Sequence, residues 1–395
     1  MYMKIGIAIE TFDPQRGGAE RIVDFIARQL AQRGHEIHVL CHKAAPDSAH
    51  VANLTVHLIP ALRLGTGLGY RQFTYRLQRK LKTLSLDLVY SCCAACAGDI
   101  YHTEAGVYRS IHTTAVATCD TRWAAIFKWI LLTLSDKQQF LLYRERLICG
   151  PVAQGGSRCL VSLTPNITRE LQVHHHVLAA RIVELPNPVL NPPLPAAQTA
   201  VWRAQQRQQY HIPASARVAL FVGHNFARKG LRWALESVAK AGPEYWLIVV
   251  GGPTQKQLRY QRLAQELKLD SRVIFTGAVT DTRPLYAVAD VLILPTFYDP
   301  YPLVGLEALA AGIPILTTVM AGGSDRVLAY QAGTVVSHPR ATDEFAAALQ
   351  ALPTDPTQRE QLAQRCRQAA ISISPEDYIN QMEALIHALV RTRPA

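Results

Sequence analysis

The chain has few cysteines, a small share of charged residues and no long apolar run. Its 395 residues include eight cysteines and 18% charged residues, and the cysteines are too scattered for a disulfide framework. The longest apolar stretch, residues 123–134, is about 12 residues long and contains Lys128, whereas a membrane-spanning helix needs about 20. The first residues show none of the regions of a signal peptide. These absences argue against a disulfide-rich secreted domain and a spanning helix, and we expect a cytoplasmic protein.

Signatures of metal and nucleic-acid binding are also missing. Cys93 and Cys96 form one C-x-x-C pair, but no second pair follows at the spacing of a zinc site. Three adjacent histidines, residues 174–176, cannot all face one ion from a helix. No helix-turn-helix, RNP or zinc-finger pattern accompanies the net charge of +11. We therefore expect no metal, no cofactor and no nucleic-acid partner, with a basic nucleic-acid-binding or membrane-binding module as the non-enzyme alternative.

The pattern of apolar residues predicts an α/β fold. Short β-branched runs alternate with segments of helical period, as in parallel sheets covered by helices. The predicted strands form two series: 4–9, 36–40, 56–59, 88–91, 159–163 and 181–184, then 218–222, 246–250, 273–275, 291–294 and 315–317. Between the series, residues 185–195 include five prolines, which neither a helix nor a central strand accommodates.

We place the domain boundary in this proline-rich segment. Residues 1–187 are expected to form one Rossmann-like, doubly wound domain and residues 188–375 a second. An amphipathic helix within residues 376–395 is expected to complete the first domain. Ligands of such sheets bind at the carboxyl ends of the strands, so a cleft between the two tandem domains is the expected site.

Two glycines, Gly17 and Gly18, stand where the first strand gives way to a helical pattern. Glycines at a helix N-terminus let backbone amides approach an anion closely, and the helix dipole favours a negative charge there. A turn that only needs flexible backbone angles would give the same pattern. The pair is therefore compatible with an anion site but does not establish one.

The second domain opens with a similar turn that carries positive charge. Its first strand leads into Gly223, the adjacent cations Arg228 and Lys229, and then Gly230 at the start of a helix. This arrangement would hold both cations above the strand ends, where they could pair with phosphate oxygens. A solvated basic turn is the alternative interpretation.

Two carboxylates flank a predicted helix start near residue 302. Pro302 suits a first helical turn, which places Asp299 in the preceding loop and Glu307 about one turn inside the helix. The amides of Leu303 and Val304 would then face a diphosphate placed between the carboxylates. The alternative is that Asp299 only caps the helix and Glu307 is a solvated helix position.

Four motifs together resemble the retaining family-4 glycosyltransferases of the GT-B fold, over nearly the whole chain. They are Gly17-Gly18-Ala-Glu20, the turn Gly223 to Gly230 with Arg228-Lys229, Asp299-x7-Glu307 followed by Ala-Leu-Ala-Ala-Gly-Ile-Pro, and Gly322-Gly323. The resemblance implies two Rossmann-like domains that face a cleft, with a nucleotide-sugar donor bound mainly by the second domain.

The resemblance also implies roles for the donor-site residues. Glu307 would accept hydrogen bonds from the ribose hydroxyls, and Arg228 and Lys229 would neutralise the diphosphate. Asp299 stands where the family more often has Glu, and it would contact hydroxyls of the transferred sugar. Backbone at the two glycine pairs and at Gly223 would lie close to the donor. The implied reaction is a retaining transfer without a metal, in which cations and helix amides stabilise the departing nucleoside diphosphate.

A first-domain segment, residues 98–109, resembles a stretch of the bacterial lipopolysaccharide-core enzymes. This likeness implies that His102 faces the sugar or the acceptor and acts in catalysis. It also makes Asp99 and Glu104 candidate acceptor contacts, although Glu104 is offset by one residue from the family's acidic position.

The positive charge is concentrated in the first domain. Residues 1–188 carry 21 Lys and Arg against 14 Asp and Glu, and residues 48–86 contain no acidic residue. Aromatic residues are interleaved with cations in 63–82 and 108–146, which suits an anionic membrane interface. The alternative is that these aromatics form ordinary helix cores beneath solvated cations.

The sequence therefore predicts a hexosyltransferase that uses UDP-glucose or a similar donor. The expected acceptor is a lipid-linked bacterial surface glycan, with lipopolysaccharide core as the first choice and an exopolysaccharide or capsule repeat unit as the alternative. The expected location is the inner face of the cytoplasmic membrane, bound peripherally. A binding module without activity would be expected to lose Glu307 or Lys229, and both are present.

Overall fold

The structure is a computed structural model that describes residues 2–46, 51–191, 195–252, 254–371 and 373–392. It divides into two compact units, of which the first comprises Met1–Asn187 with Ile373–Ala395 and the second Pro188–Ser372. The division falls within the proline-rich segment, whose positions 192–194 lie outside the described residues. The roles of these units as acceptor-binding and donor-binding domains stay predictions.

The first unit is built on a parallel sheet. Its strands are β1 (Lys4–Ala8), β2 (Thr11–Phe12), β3 (Glu36–Cys41), β4 (Lys43–Ala44), β5 (Leu54–Leu58), β6 (Leu88–Ser91), β7 (Ile100–His102), β8 (Cys159–Ser162) and β9 (Ile182–Glu184). Seven of them pair in the order β5-β3-β1-β6-β7-β8-β9, while β2 and β4 form a separate two-stranded sheet. Strand order reverses between β1 and β6, which pair with Ile5 opposite Leu88.

The second unit contains a six-stranded parallel sheet. Its strands are β10 (Arg217–Val222), β11 (Tyr245–Val250), β12 (Val273–Gly277), β13 (Val291–Leu294), β14 (Ile315–Thr318) and β15 (Gly333–Val336). They pair in the order β12-β11-β10-β13-β14-β15, the strand order of the Rossmann fold. The order reverses between β10 and β13, where Ala219 lies opposite Val291.

Sixteen α-helices are assigned in the described residues. They are α1 (Gly18–Gln32), α2 (Gly67–Lys82), α3 (Tyr108–Ala117), α4 (Arg122–Leu134), α5 (Asp136–Cys149), α6 (Pro165–His175), α7 (Ala196–Gln209), α8 (Phe226–Lys229), α9 (Leu231–Ala241), α10 (Thr254–Glu266), α11 (Arg283–Val288), α12 (Leu303–Ala310), α13 (Ser324–Ala329), α14 (Thr342–Gln350), α15 (Pro356–Ala370) and α16 (Pro375–Arg391). Side chains cap several starts: the Thr66 hydroxyl accepts from Gly69 N at 3.1 Å, and the Ser374 hydroxyl accepts from Asp377 N at 3.0 Å.

The strands of the second unit are apolar on both faces because helices cover both. Phe221, Leu247 and Ile293 pack on one side of the sheet, whereas Leu220 and Ile248 pack on the other. This double burial explains the near-continuous apolar runs, such as Tyr-Trp-Leu-Ile-Val-Val in β11. Burial of both faces also holds the strands in place, and so fixes the positions at which the polar loops begin.

Some elements differ from the sequence prediction. The short strands β2, β4, β7 and β15 were not predicted, since two to four residues carry too little periodicity, and β15 starts at Gly333. The C-terminal helix ends at Arg391, and positions 393–395 of the predicted segment 376–395 lie outside the described part of the chain. The buried apolar face of this helix consists of Tyr378, Ile379, Met382 and Ile386.

The aromatic residues of the basic stretches divide into two groups. Tyr70, Phe73 and Phe140 are buried, and their rings pack edge to face, as expected for ordinary helix cores. In contrast, α4 has no buried residue, although the structure describes all of it. Its exposed large apolar side chains are Trp123, Ile126, Phe127, Trp129, Ile130, Leu131 and Leu134. No helix in the described ranges is long and apolar enough to cross a membrane.

Candidate functional site

In the second unit, predicted site residues meet where the strand order reverses. The segment after β10 carries Gly223 in a turn and Arg228 and Lys229 in the short helix α8, and the loop after β13 carries Asp299. Because β10 and β13 are neighbouring parallel strands, both loops leave the same edge of the sheet. This edge is where ligands bind in open α/β sheets.

An ion pair joins the two loops. Lys229 Nζ lies 3.0 Å from Asp299 Oδ2, and the two side chains are 12% and 9% exposed. The stem of the lysine crosses Gly223, where an added Cβ would lie only 2.3 Å from Lys229 Cδ. Gly223 is therefore needed for the lysine to reach the carboxylate, which is a packing reason for this glycine in addition to the predicted approach to a ligand.

Backbone contacts reinforce the same junction. The Arg228 guanidinium donates to the Tyr298 carbonyl at 3.0 Å, and the Arg228 carbonyl accepts from Phe297 N at 2.8 Å. Gly230 has φ +80°, and a Cβ at this position would lie 1.9 Å from the Pro295 carbonyl oxygen. These contacts hold Arg228 and Lys229 over the end of β13. Both side chains are partly exposed.

Helix α12 presents its N-terminus to this junction. Pro302 occupies the cap position rather than the first turn, one residue earlier than the sequence predicts, and Asp299 lies in the loop before it. The N–H groups of Leu303 and Val304 form no hydrogen bond to the described backbone. These two amides and the neighbouring cations can therefore donate hydrogen bonds to anionic oxygens.

Glu307 is buried inside α12 and is not a solvated helix position. Its Oε2 accepts from the Tyr286 hydroxyl at 2.8 Å, and its Oε1 accepts from Asn191 Nδ2 at 3.2 Å. A 9% exposed carboxylate held by two donors is fixed in direction, as hydroxyl recognition requires. The structure therefore contradicts the alternative of a solvated helix position, and contact of Glu307 with a ribose stays a prediction.

The glycine pair Gly322-Gly323 packs against the loop of Asp299. Gly322 N donates to the Asp299 carbonyl at 2.7 Å, and a Cβ on Gly322 would lie 1.7 Å from the Pro300 carbonyl oxygen. Asp299 also forms a parallel bridge with Ala321. These contacts fix the position of the Asp299 backbone, so the segment of this glycine pair helps to position the Asp299 loop.

In the first unit, Gly17 caps α1 and Gly18 is its first residue. Gly17 has an extended backbone, and an added Cβ would lie 2.8 Å from Glu20 Oε2. The Glu20 side chain therefore folds back toward the helix N-terminus, and burial raises the pKa of its carboxyl. A donor contact at Gly17 and Gly18 stays a prediction, and in this structure a carboxyl group lies beside them.

His102 and Glu104 form a buried network at the carboxyl end of β7. His102 Nε2 lies 3.3 Å from Glu104 Oε1, and the side chains are 0% and 3% exposed. The Tyr90 hydroxyl is hydrogen-bonded to His102 Nδ1, and Asn187 Nδ2 donates to Glu104 Oε2 at 3.1 Å. Burial lowers the pKa of His102 to about 3 and raises the pKa of Glu104 to about 8. Both groups are therefore neutral near pH 7.

The predicted catalytic role of His102 requires contact with a ligand, whereas its side chain is fully buried. Both ring nitrogens lie next to side chains of the same unit, Tyr90 and Glu104. Contact of His102 or Glu104 with a sugar or acceptor stays a prediction.

Asp99 lies apart from His102 and Glu104, although the sequence groups all three. Asp99 precedes β7, so it sits at the amino edge of the sheet, opposite the edge where Glu104 follows that strand. Its Oδ2 accepts from Val89 N at 2.9 Å, and its Oδ1 lies 3.6 Å from Arg158 Nη1. The acceptor role predicted for Asp99 stays a prediction. In the structure this carboxylate contacts its own unit, and the three residues of β7 separate it from the carboxyl edge.

Sequence reasoning missed four partners of the site residues. They are Tyr286 and Asn191 at Glu307, Tyr90 at His102, and Asn187 at Glu104. Each is between 12 and 116 positions away in the chain from the residue it contacts. A lone Tyr or Asn carries no local pattern, so only the folded contacts could identify them.

Two family models match this chain. The model of Glycosyltransferase Family 4 matches residues 16–232, and that of Glycosyl transferases group 1 matches residues 203–370. A relative, the lipopolysaccharide glucosyltransferase WaaG of Escherichia coli strain K12, is 26% identical over 359 residues. The alignment covers 90% of this chain and 91% of the relative.

Solved structures share the fold. The crystal structure of WaaG, described as a glycosyltransferase involved in lipopolysaccharide biosynthesis, superposes with a TM-score of 0.80 at 24% identity, covering 97% of this chain and 99% of the other. HepE of Anabaena, in complex with UDP-glucose, superposes with a TM-score of 0.73 at 15% identity, covering 98% and 100%. These matches assign the GT-B fold, with two Rossmann-like domains.

The buried Glu104 carboxyl predicts a dependence of stability on pH. Its pKa of about 8 exceeds the ordinary 4.5, so the folded protein keeps a proton that the unfolded chain releases between these values. The free energy of unfolding should therefore fall as pH rises through this window. Glu104→Gln imitates the protonated side chain, so between pH 6 and 9 it should avoid a loss of about 2 kcal/mol that the native protein suffers.

Urea denaturation of both proteins at pH 6 and pH 9 measures this difference. His102 is present in both proteins, and its lowered pKa adds the same rise in stability to both as pH increases toward about 6.5, so the difference between them reports on Glu104. Parallel stability curves for the two proteins over this range would show that Glu104 is ionised in the folded state.

Proposed function

The chain belongs to Glycosyltransferase Family 4, and we propose that it transfers a hexose from a nucleotide sugar to a lipid-linked bacterial surface glycan. The donor we propose is UDP-glucose or a close analogue, and the acceptor is lipopolysaccharide core. The observation that carries the donor part is the junction of Lys229, Asp299 and Glu307 at one edge of the second sheet.

The donor would bind through charge and amides at this junction. Lys229 and Arg228 would pair with the diphosphate oxygens, and the free N–H groups of Leu303 and Val304 would add hydrogen bonds from the α12 N-terminus. In the absence of donor, Asp299 is the partner of the Lys229 ammonium. A diphosphate could take over that ammonium and leave Asp299 to accept from sugar hydroxyls.

Glu307 would bind the ribose. A carboxylate that is already held by Tyr286 and Asn191 accepts further hydrogen bonds in a fixed direction, which suits a pair of neighbouring hydroxyls. The known complex of HepE with UDP-glucose supports a nucleotide sugar as the ligand of this fold. We extend this donor class to the present chain.

We propose a retaining transfer that needs no metal in the donor site. The two cations and the helix amides supply the positive potential that a departing nucleoside diphosphate requires. They are fixed by Gly223, Gly230 and the backbone of residues 297–298 before any ligand arrives, so little reorganisation is needed. The reaction would therefore depend on electrostatic preorganisation rather than on a covalent intermediate with a carboxylate.

The acceptor proposal draws on the relative that aligns over most of both chains. WaaG of Escherichia coli is a lipopolysaccharide glucosyltransferase, and the match extends over 90% of this chain. A lipid-linked acceptor also requires that the enzyme work at a membrane surface. The exposed helix α4 gives this requirement a structural basis.

We propose that α4 docks on the anionic inner face of the cytoplasmic membrane. The helix exposes seven large apolar side chains, with Trp123 81% and Phe127 63% exposed. Singly exposed apolar residues are ordinary on a protein surface, but a whole helix of them marks an interaction site. Arg122 begins the helix, and the surrounding residues 1–188 carry an excess of positive charge, which fits anionic lipid headgroups.

Removal of the Lys229 charge should abolish most of the transfer. Lys229→Ala is expected to lower kcat/KM by about 100-fold or more, because an ammonium that neutralises the leaving diphosphate is lost. The matched control is Lys240→Ala, whose ammonium pairs with the exposed Asp343 in the same unit and should leave kcat/KM within about twofold. Turnover of UDP-glucose and GDP-glucose with purified lipid-linked acceptors measures both. Near-native turnover by Lys229→Ala would reject the donor-site assignment.

Polar substitution on α4 should release the protein from anionic liposomes. Each large side chain that leaves the interface costs about 2 kcal/mol of binding, so Trp123→Ser with Phe127→Ser should lower the partition coefficient by more than 10-fold. Leu178→Ser is the control, because Leu178 is 69% exposed but lies outside α4. Co-sedimentation with anionic and with neutral vesicles measures binding. Equal recovery of the native protein with both vesicle types, or unchanged binding of the double variant, would contradict the membrane proposal.

A further inference from the structure

Three metal-ligating side chains meet where α16 packs on the first unit. His35 lies in the turn between α1 and β3, and Glu383 and His387 lie on α16. His35 Nε2 is 2.9 Å from Glu383 Oε1, and His387 Nε2 is 3.8 Å from the same oxygen. The three ligand atoms all lie within 4.8 Å of one another. None of these residues belongs to the donor site.

The fold holds these side chains in place. Glu383 and His387 are one helical turn apart, so they point to the same side of α16. The neighbouring Met382 and Ile386 are fully buried, which anchors this part of the helix. The His35 side chain is 3% exposed, whereas those of Glu383 and His387 are each 23% exposed. An ion from solvent could therefore reach the cluster from the α16 side.

The ligand types select a class of ion. Two imidazoles and one carboxylate suit zinc and neighbouring transition metals, whereas magnesium and calcium prefer oxygen ligands. Ligand atoms around a tetrahedral zinc ion lie about 3.3 Å apart. Two separations here are 2.9 and 3.8 Å, and that between the two histidines is at most 4.8 Å, so ligand atoms would shift by up to about 1.5 Å to reach this geometry. The protein would supply three ligands, and water would supply the fourth.

A nearby arginine orients the carboxylate. Arg33 Nη1 lies 2.6 Å from Glu383 Oε2, so it engages one carboxylate oxygen and leaves Oε1 facing the histidines. The Arg33 charge opposes a cation, so we expect binding only of an ion that forms strong bonds to imidazole nitrogen.

We propose that His35, Glu383 and His387 bind one divalent transition-metal ion, with zinc as the best fit, and that this ion fastens α16 to the turn between α1 and β3 within the first unit. The three residues are up to 352 positions apart in the chain, which is why the sequence predicted no such site. The ion would stabilise the folded protein and take no part in sugar transfer.

The test uses the full-length protein without a histidine tag, stripped of metal and titrated with zinc chloride by calorimetry. We expect one bound ion per chain and a rise in Tm, with no comparable effect of magnesium. His387→Ala should weaken zinc binding by at least about 10-fold and remove the rise in Tm. His57→Ala is the matched control, because His57 pairs with His38 at 3.0 Å elsewhere in the same unit and should leave zinc binding unchanged.

Two further measurements keep the outcomes distinct. Melting in EDTA should be alike for native protein and His387→Ala, which separates a lost ligand from a misfolded variant. Turnover should persist in EDTA, so failure of zinc to bind would leave the glycosyltransferase proposal standing. Zinc binding that is unchanged in His387→Ala, or lost in His57→Ala, would overturn the site.

Discussion

The arrangement of the predicted donor site in the second unit depends on the contact between Lys229 and Asp299. This pair joins the loops that follow β10 and β13, the two strands between which the strand order reverses. A partly buried pair of this kind contributes modestly to stability, because desolvation offsets much of the attraction. Its importance is geometric, since it holds an ammonium and a carboxylate beside the N-terminus of α12. The glycines at 223, 230 and 322 are the positions where an added Cβ would push these loops apart.

The same contact explains how one site could serve two ligand groups. Parallel strands end at a common edge, so cations from one loop and carboxylates from the next arrive side by side. In the structure the opposite charges of Lys229 and Asp299 satisfy each other. A nucleotide sugar carries both a diphosphate and hydroxyls, so it could exchange partners with Lys229 and Asp299 without leaving either charge unpaired. In the first unit, burial instead keeps His102 and Glu104 neutral, and each forms one hydrogen bond, to Tyr90 and to Asn187. His102 Nε2 and Glu104 Oε1 lie 3.3 Å apart and are not hydrogen-bonded to any described residue.

The sequence predicts the fold well because its main signals are local. Long apolar strands such as β10 and β11 are visible from their composition, and Asp299, Glu307 and the two cations stand at regular distances from strand ends. Short strands such as β7 are not predicted, because three residues are too few to show a period-two pattern. The sequence also grouped Asp99 with Glu104, because β7 was not predicted between them. The strand places these two residues at opposite edges of the sheet. Partners such as Tyr286 and the cluster around Glu383 depend on contacts between distant segments, which no local pattern reveals.

Recognition of a diphosphate is the function that we assign to the Lys229 junction. Calorimetric titration of the purified protein with UDP and UMP, and with GDP and GMP, measures this recognition. We expect the preferred diphosphate to bind at least about 10-fold tighter than its monophosphate, because the second phosphate adds charge-assisted hydrogen bonds, and we expect Lys229→Ala to remove most of this difference. Equal binding of the diphosphate and the monophosphate by the native protein, or an undiminished preference in Lys229→Ala, would contradict it.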